Sequence, residues 1–245
     1  MVSVPIADKE QIDTMTFQIG LSIPKGILLA SDRLKTSLVG YTHSRHQRKI
    51  EISPGGNLAY CSAGDTDFCA VLIDGIEKEM AYGQVRFTQG SPTEARGVLM
   101  RCATAAKERD AAFRTSRDIR ESAYGNSLLV FKENNSVALW SVDTRPLIPD
   151  VSIVLDEFVV AGNANNAAVF FLNHYARQLP KTENTLISLA VHTVLMAKSD
   201  YVDGVDVGIF TTDKFRILSE SDLQPYIDLS KKLDAGILGA FRERK

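Results

Sequence analysis

Residues 16–33 read TFQIGLSIPKGILLASDR, two short apolar runs around a Pro24-Lys25-Gly26 turn, with Thr16 before the first run and Asp32 just after the second. Turn residues between two β-prone runs mark a β-hairpin, here with strands at Phe17–Ile23 and Ile27–Ser31. A hairpin of that length brings Thr16 back beside Asp32. A threonine hydroxyl is a weak nucleophile at neutral pH, so this pairing becomes chemistry only where an adjacent base activates it.

Outward from the hairpin, a polar stretch leads to a second one, Lys49–Ser53 and Leu58–Ser62 around Pro54-Gly55-Gly56-Asn57. Ala63-Gly64-Asp65 opens a helical pattern with Phe68, Val71, Leu72 and Ile76 on one face. A second helix is expected at Ser91-Pro92-Thr93-Glu94, where Ser91 caps, Pro92 takes the first helical position and Glu94 completes a capping box. Beyond the charged segment 107–120, strands are expected at Ser127–Lys132, Ser136–Val142 and Phe158–Ala161, then helices at Asn165–Arg177 and Glu183–Lys198. Asp206–Thr212 and Phe215–Leu218 form a last hairpin, and a helical tail runs from Asp222 to a basic end at Arg242, Arg244 and Lys245. Helices come in adjacent pairs instead of alternating singly with strands, the order of an α+β chain with helix pairs outside antiparallel sheets.

The chain has 245 residues, 44% hydrophobic and 24% charged, with a formal net charge of −2. That composition is ordinary for a globular protein and carries no electrostatic footprint for nucleic acid. No apolar run reaches membrane-spanning length, and the N-terminus lacks the basic start and apolar stretch of a secretory signal. Cys61, Cys69 and Cys102 form an odd set without CxxC spacing, which argues for a reducing, cytoplasmic setting and against a structural zinc site. His43-x-x-His46 has no third ligand nearby in sequence, so neither a metal nor a cofactor is expected. Cys61 and Cys69 read as small core residues and His192 as packing on its helix. No G-x-S-x-G elbow supports a serine triad.

Activation of Thr16 would be complete if its own nitrogen were a free α-amine, with a lysine to hold the site positive and an aspartate to fix the lysine. Lys49, at the start of the second hairpin, is placed to meet Asp32. Gly64, at a strand-to-helix junction, can offer a backbone N–H to an oxyanion, or serve only the tight entry into the helix.

The ordered set Thr16, Gly20, Gly26, Ala30-Ser31-Asp32-Arg33, Lys49-Ile50 and Ser62-Ala63-Gly64-Asp65 resembles the landmarks of proteasome β-type subunits and the bacterial HslV peptidases. Ser199-Asp200-Tyr201-Val202-Asp203-Gly204 is similar to the turn that precedes that family's final strand pair. The resemblance spans residues 16 to about 218 and implies a four-layer αββα sandwich of N-terminal-nucleophile hydrolases. It implies Thr16 as nucleophile with its α-amine as base, Asp32 and Lys49 as the activating pair, Gly64 as oxyanion donor and Asp200 as support for the N-terminal residue. It further implies a peptide or unfolded-protein substrate, self-association into stacked homo-oligomeric rings of six or seven subunits, and an ATP-dependent unfoldase as a partner.

The chain departs from the pattern in three places. Ala161-Gly162-Asn163-Ala164 stands where the family has Gly-Ser-Gly-Ser, Asp203 stands for a supporting serine, and the Asp32-to-Lys49 interval is about one residue longer. Divergent bacterial relatives, such as the Anbu type and the betaproteobacterial proteasome homologue, depart in similar places. Two alternatives therefore stay open beside the peptidase: a catalytically inactive structural subunit, and a ligase that passes the acyl group to an amine.

With fifteen residues ahead of it, Thr16 carries an amide nitrogen, which is no base. Residues 1–15 are read as a propeptide or, preferably, as upstream of a true start at Met15, because methionine before threonine is normally trimmed. Lys9-Glu10 can be encoded as AAGGAG, a ribosome-binding sequence. On this reading residues 16–220 form the hydrolase domain and 221–245 a helical tail.

Overall fold

The computed structural model describes residues 16–37, 42–44, 47–83, 85–88, 92–117, 123–162, 167–197 and 203–242. The first hairpin forms as β1 (Phe17–Ile23) and β2 (Gly26–Ser31), with Ile23 opposite Gly26 across a two-residue loop. A short pair, β3 (Lys35–Ser37) and β4 (Thr42–Ser44), lies in the stretch that sequence marks only as polar. The second hairpin, β5 (Ile50–Ile52) and β6 (Leu58–Gly64), feeds α1 (Thr66–Tyr82). Asp65 caps α1 by accepting from the Phe68 N–H, and Gly83 ends it in the left-handed conformation.

Next comes α2 (Pro92–Ser116), which runs straight through the first ten residues of the charged segment. Ala103 and Ala106 are buried just before that stretch, and within it Asp110 pairs with Arg114 one turn on. Ser91, the expected cap, lies outside the described residues. The chain continues with β7 (Gly125–Glu133), β8 (Ser136–Asp143), β9 (Asp150–Ile153) and β10 (Phe158–Gly162). Sequence reading misses β9, a four-residue edge strand with one buried side chain, Val151. It is followed by α3 (Ala168–Ala176), α4 (Glu183–Met196), β11 (Asp206–Thr211), β12 (Phe215–Ile217) and α5 (Glu220–Arg242).

The strands form two five-stranded antiparallel sheets, ordered β10-β1-β2-β11-β12 and β5-β6-β7-β8-β9. Alternation along a strand sends neighbouring side chains to opposite faces. Leu28 and Ala30 of β2 join an apolar cluster with α3 and α4, while Ile27 and Leu29 join another with residues from strands of both sheets. Strand β7 does the same in the other sheet: Leu129 and Phe131 pack with α1 and α2, and Leu128 and Val130 turn toward the cluster shared by the sheets. Both sheets are thus apolar on two faces, which suits central strands buried on both sides. Among the described residues no helix is long and apolar enough to cross a membrane.

Candidate active site

Strand β1 is held on one side by β2 and on the other by β10, which anchors the residue immediately before it. That residue is Thr16. Asp32, one step beyond β2, sits alongside: its Oδ1 accepts the Phe17 N–H at 2.9 Å and its Oδ2 accepts the Leu34 N–H at 3.0 Å. The Asp32 N–H in turn donates to the Phe17 carbonyl at 3.2 Å.

Lys49 enters from the other sheet. Its Nζ donates to Asp32 Oδ2 at 2.8 Å and to Thr16 Oγ1 at 2.9 Å. Asp32 is fully buried, Lys49 is 6% exposed and Thr16 is 9% exposed. Charge-assisted bonds in so dry a setting are stronger than their solvated equivalents, and a lone buried charge would be costly. Burial pushes the Asp32 carboxyl above its ordinary value, against the Lys49 ammonium and the two backbone N–H groups, which favour the carboxylate.

The lysine backbone is fixed as well. Asp206, at the start of β11, accepts the Lys49 N–H on Oδ2 at 2.9 Å and the Arg33 Nε–H on Oδ1 at 2.7 Å. The second Arg33 arm reaches Glu220 at 2.9 Å. Sequence reading quotes Arg33 within the motif but assigns neither it nor Asp206 a part. Their only local signal is a charged residue on an otherwise apolar strand, at Asp206.

Two glycines shape the walls. Gly162, at the end of β10, has φ +76°, and a Cβ there would lie 2.0 Å from the Thr16 carbonyl oxygen. Gly64 has φ +113°, and its Cβ would meet the Tyr124 carbonyl at 2.2 Å. Both positions need glycine for conformation and for space. Gly64 and Lys49 share the wall of a cavity of about 110 Å³, with Glu51, Tyr60, Ser62, Thr66, Cys69, Ala70 and Ile73 as its other lining residues.

The structure therefore joins Thr16 and Asp32 through the Lys49 ammonium and sets Gly64 on the same cavity as Lys49. Asp200, with Asn163 and Ala164, lies outside the described residues. Asp203 is described: its Oδ1 accepts the Gly204 N–H, and its carbonyl accepts the Arg33 N–H at 2.8 Å.

Burial pushes the Cys61 thiol far up, Cys69 up to about 12 and Cys102 up to about 11. All three stay as thiols at neutral pH and are poor nucleophiles. His46 lies outside the described residues. Among the described residues no three His, Cys, Asp or Glu side chains gather as a metal site.

No family model and no curated protein matches the sequence. Solved structures do. Anbu, described as an ancestral β-subunit, from Yersinia bercovieri superposes with a TM-score of 0.67 at 15% identity, over 94% of this chain and 98% of that one. A mutant of Anbu from Hyphomicrobium sp. strain MC1 gives the same values. The fold is that of Anbu. Another Anbu structure from that Hyphomicrobium strain gives 0.62 at 16% identity with the same coverage. The Anbu fold thus extends over almost the whole chain at an identity too low to carry residue roles across.

Proposed function

We propose that the chain is a threonine peptidase subunit of a bacterial proteasome-like complex, with Thr16 as the N-terminal nucleophile of the mature protein. The observation that carries this reading is the buried Lys49 Nζ, which bridges the Thr16 hydroxyl and the Asp32 carboxylate. The nearby ammonium favours loss of a proton from the hydroxyl and keeps an adjacent α-amine neutral.

With Thr16 at the terminus, its α-amine takes the Oγ1 proton as Oγ1 attacks the carbonyl carbon of a peptide bond. The Gly64 N–H serves the developing oxyanion. The α-ammonium then returns the proton to the departing amine, which leaves an ester on Thr16. Water, deprotonated by the same amine, hydrolyses the ester and regenerates the hydroxyl. Asp200 supports the N-terminal residue. The reading takes residues 16–220 as one hydrolase domain, residues 1–15 as absent from the working protein and residues 221–245 as a helical tail.

A four-layer αββα arrangement fits the three apolar clusters: one with α3 and α4, one with α1 and α2, and one built from strands of both sheets. Association into stacked rings in the cytoplasm follows the proteasome resemblance. The exposed Phe170 of α3 and the exposed Leu233, Ile237 and Leu238 of α5 are apolar surface for such contacts. An ATP-dependent unfoldase would supply unfolded chains to a closed ring.

A second reading, a structural subunit without activity, is favoured by the lack of a hydroxyl side chain in Ala161-Gly162-Asn163-Ala164. Intact mass of the native protein before and after a threonine-directed epoxyketone separates the two. The peptidase reading expects a chain that begins at Thr16 and gains one inhibitor mass per subunit. A chain that retains residues ahead of Thr16 and gains no mass overturns it.

A further inference from the structure

The cavity beside Lys49 is asymmetric in charge. Of its lining residues, Lys49 has its ammonium matched by the Asp32 carboxylate. Glu51, also on the lining, lies two residues along from Lys49 and is the cross-strand partner of Tyr60, whose hydroxyl donates to Glu51 Oε2 at 2.9 Å. Glu77 follows Ile73 by four residues on the face of α1 that lines the cavity, and its charge reaches the Tyr60 hydroxyl. Among the described residues, no lysine or arginine pairs with Glu51 or Glu77. Elsewhere on the lining, Ala70 and Ile73 offer apolar walls and Ser62 and Thr66 offer hydroxyls.

A pocket with apolar walls and a carboxylate that no cation matches is complementary to an aliphatic stem that carries a cation. We propose that this cavity receives a lysine or arginine side chain on the acyl side of the scissile bond, and that Glu51 sets the preference. The inference rests on the peptidase reading above, because Lys49, which lines the cavity, donates to the Thr16 hydroxyl. An acidic side chain is repelled by Glu51. A leucine packs on the apolar walls and leaves the carboxylate without a cation.

The test uses the assembled protein as purified and fluorogenic tetrapeptide amides that differ only in the residue before the leaving group: arginine, lysine, leucine or glutamate. The expected kcat/KM for arginine and lysine exceeds that for leucine by about tenfold, and the margin narrows as salt is raised. Glu51→Gln brings the arginine-to-leucine ratio toward one, and Glu51→Arg moves the preference to glutamate. Asp74→Asn, on the exposed side of α1, leaves the ratio as it was. A leucine preference in the parent protein, or an unchanged ratio in Glu51→Gln, overturns the role of Glu51 while the epoxyketone adduct on Thr16 still forms. Absence of both turnover and adduct overturns the peptidase reading and this inference with it.

Discussion

Two ion pairs, each on a fully buried carboxylate, stand side by side in this fold and are built to different ends. Arg33 and Asp206 are used up by structure: Asp206 spends one oxygen on the guanidinium and the other on the Lys49 N–H, and the second Arg33 arm is tied to Glu220. Lys49 and Asp32 are not. Asp32 clamps the start of β1 and the residue after the hairpin, and Lys49 still directs a donor at a hydroxyl. The first pair sets where the second sits, and only the second touches a group that can react.

That division can be broken by substitution. The largest effect is expected for Thr16→Ala, which removes the proposed nucleophile: kcat falls by about 10⁴-fold or more in a peptide assay, with the melting temperature nearly unchanged. Lys49→Met should cost comparable activity and also about 3–5 kcal/mol of stability in urea denaturation, because Asp32 is left buried without its cation. Arg33→Met should cost about 3 kcal/mol as well but retain measurable turnover. Turnover lost as completely as in Lys49→Met would erase the distinction between the pairs.

The pH response sharpens it. Burial raises the Asp32 pKa, so kcat/KM should fall on acidification at a pH above the ordinary aspartate range, as the carboxylate that holds Lys49 takes up a proton. Stability moves the other way across the same window. The folded chain there binds more protons than the unfolded one, so stability declines as pH rises. Parallel rate and urea titrations read the two opposite slopes.

A smaller effect belongs to His192, well away from both pairs. Its Nδ1 lies 2.7 Å from the Ser230 Oγ of α5, and burial lowers its pKa despite the pull of Asp234. Below about pH 6.5, the ordinary histidine value, the unfolded chain binds the extra proton first, so stability is lost as pH falls through that range. Thermal melts of His192→Asn should show a shallower slope. The smallest effect is Lys78→Ala, which breaks an exposed pair with Asp74 on α1 and should change stability by no more than about 0.5 kcal/mol.

What sequence made legible was local. Pro24-Lys25-Gly26 placed the first hairpin and so the meeting of Thr16 and Asp32, and Asp65 three residues before Phe68 placed the start of α1. Partners far apart in the chain stayed hidden. Asp206 meets Arg33 across 173 residues, through β2–β11 pairing that no local pattern announces. The charged stretch after Ala106 has no buried side chain over residues 107–117, so no apolar face marks it as helix, yet α2 continues through it with Asp110 tied to Arg114 and to the Ala123 N–H. Lys107 then reaches the carbonyls of Thr144, Pro146 and Leu147, which fixes the β8–β9 loop by contacts absent from its own sequence.

Gly162 carries a consequence for descent. Its left-handed backbone presses so close to the Thr16 carbonyl that no side chain fits, whatever residue 16 does chemically. A relative that keeps β10 closed against β1 is therefore expected to keep glycine at 162 whether or not it keeps Thr16. The two positions answer to separate demands: glycine at 162 to the closure of the fold, and threonine at 16 to the reaction proposed for it.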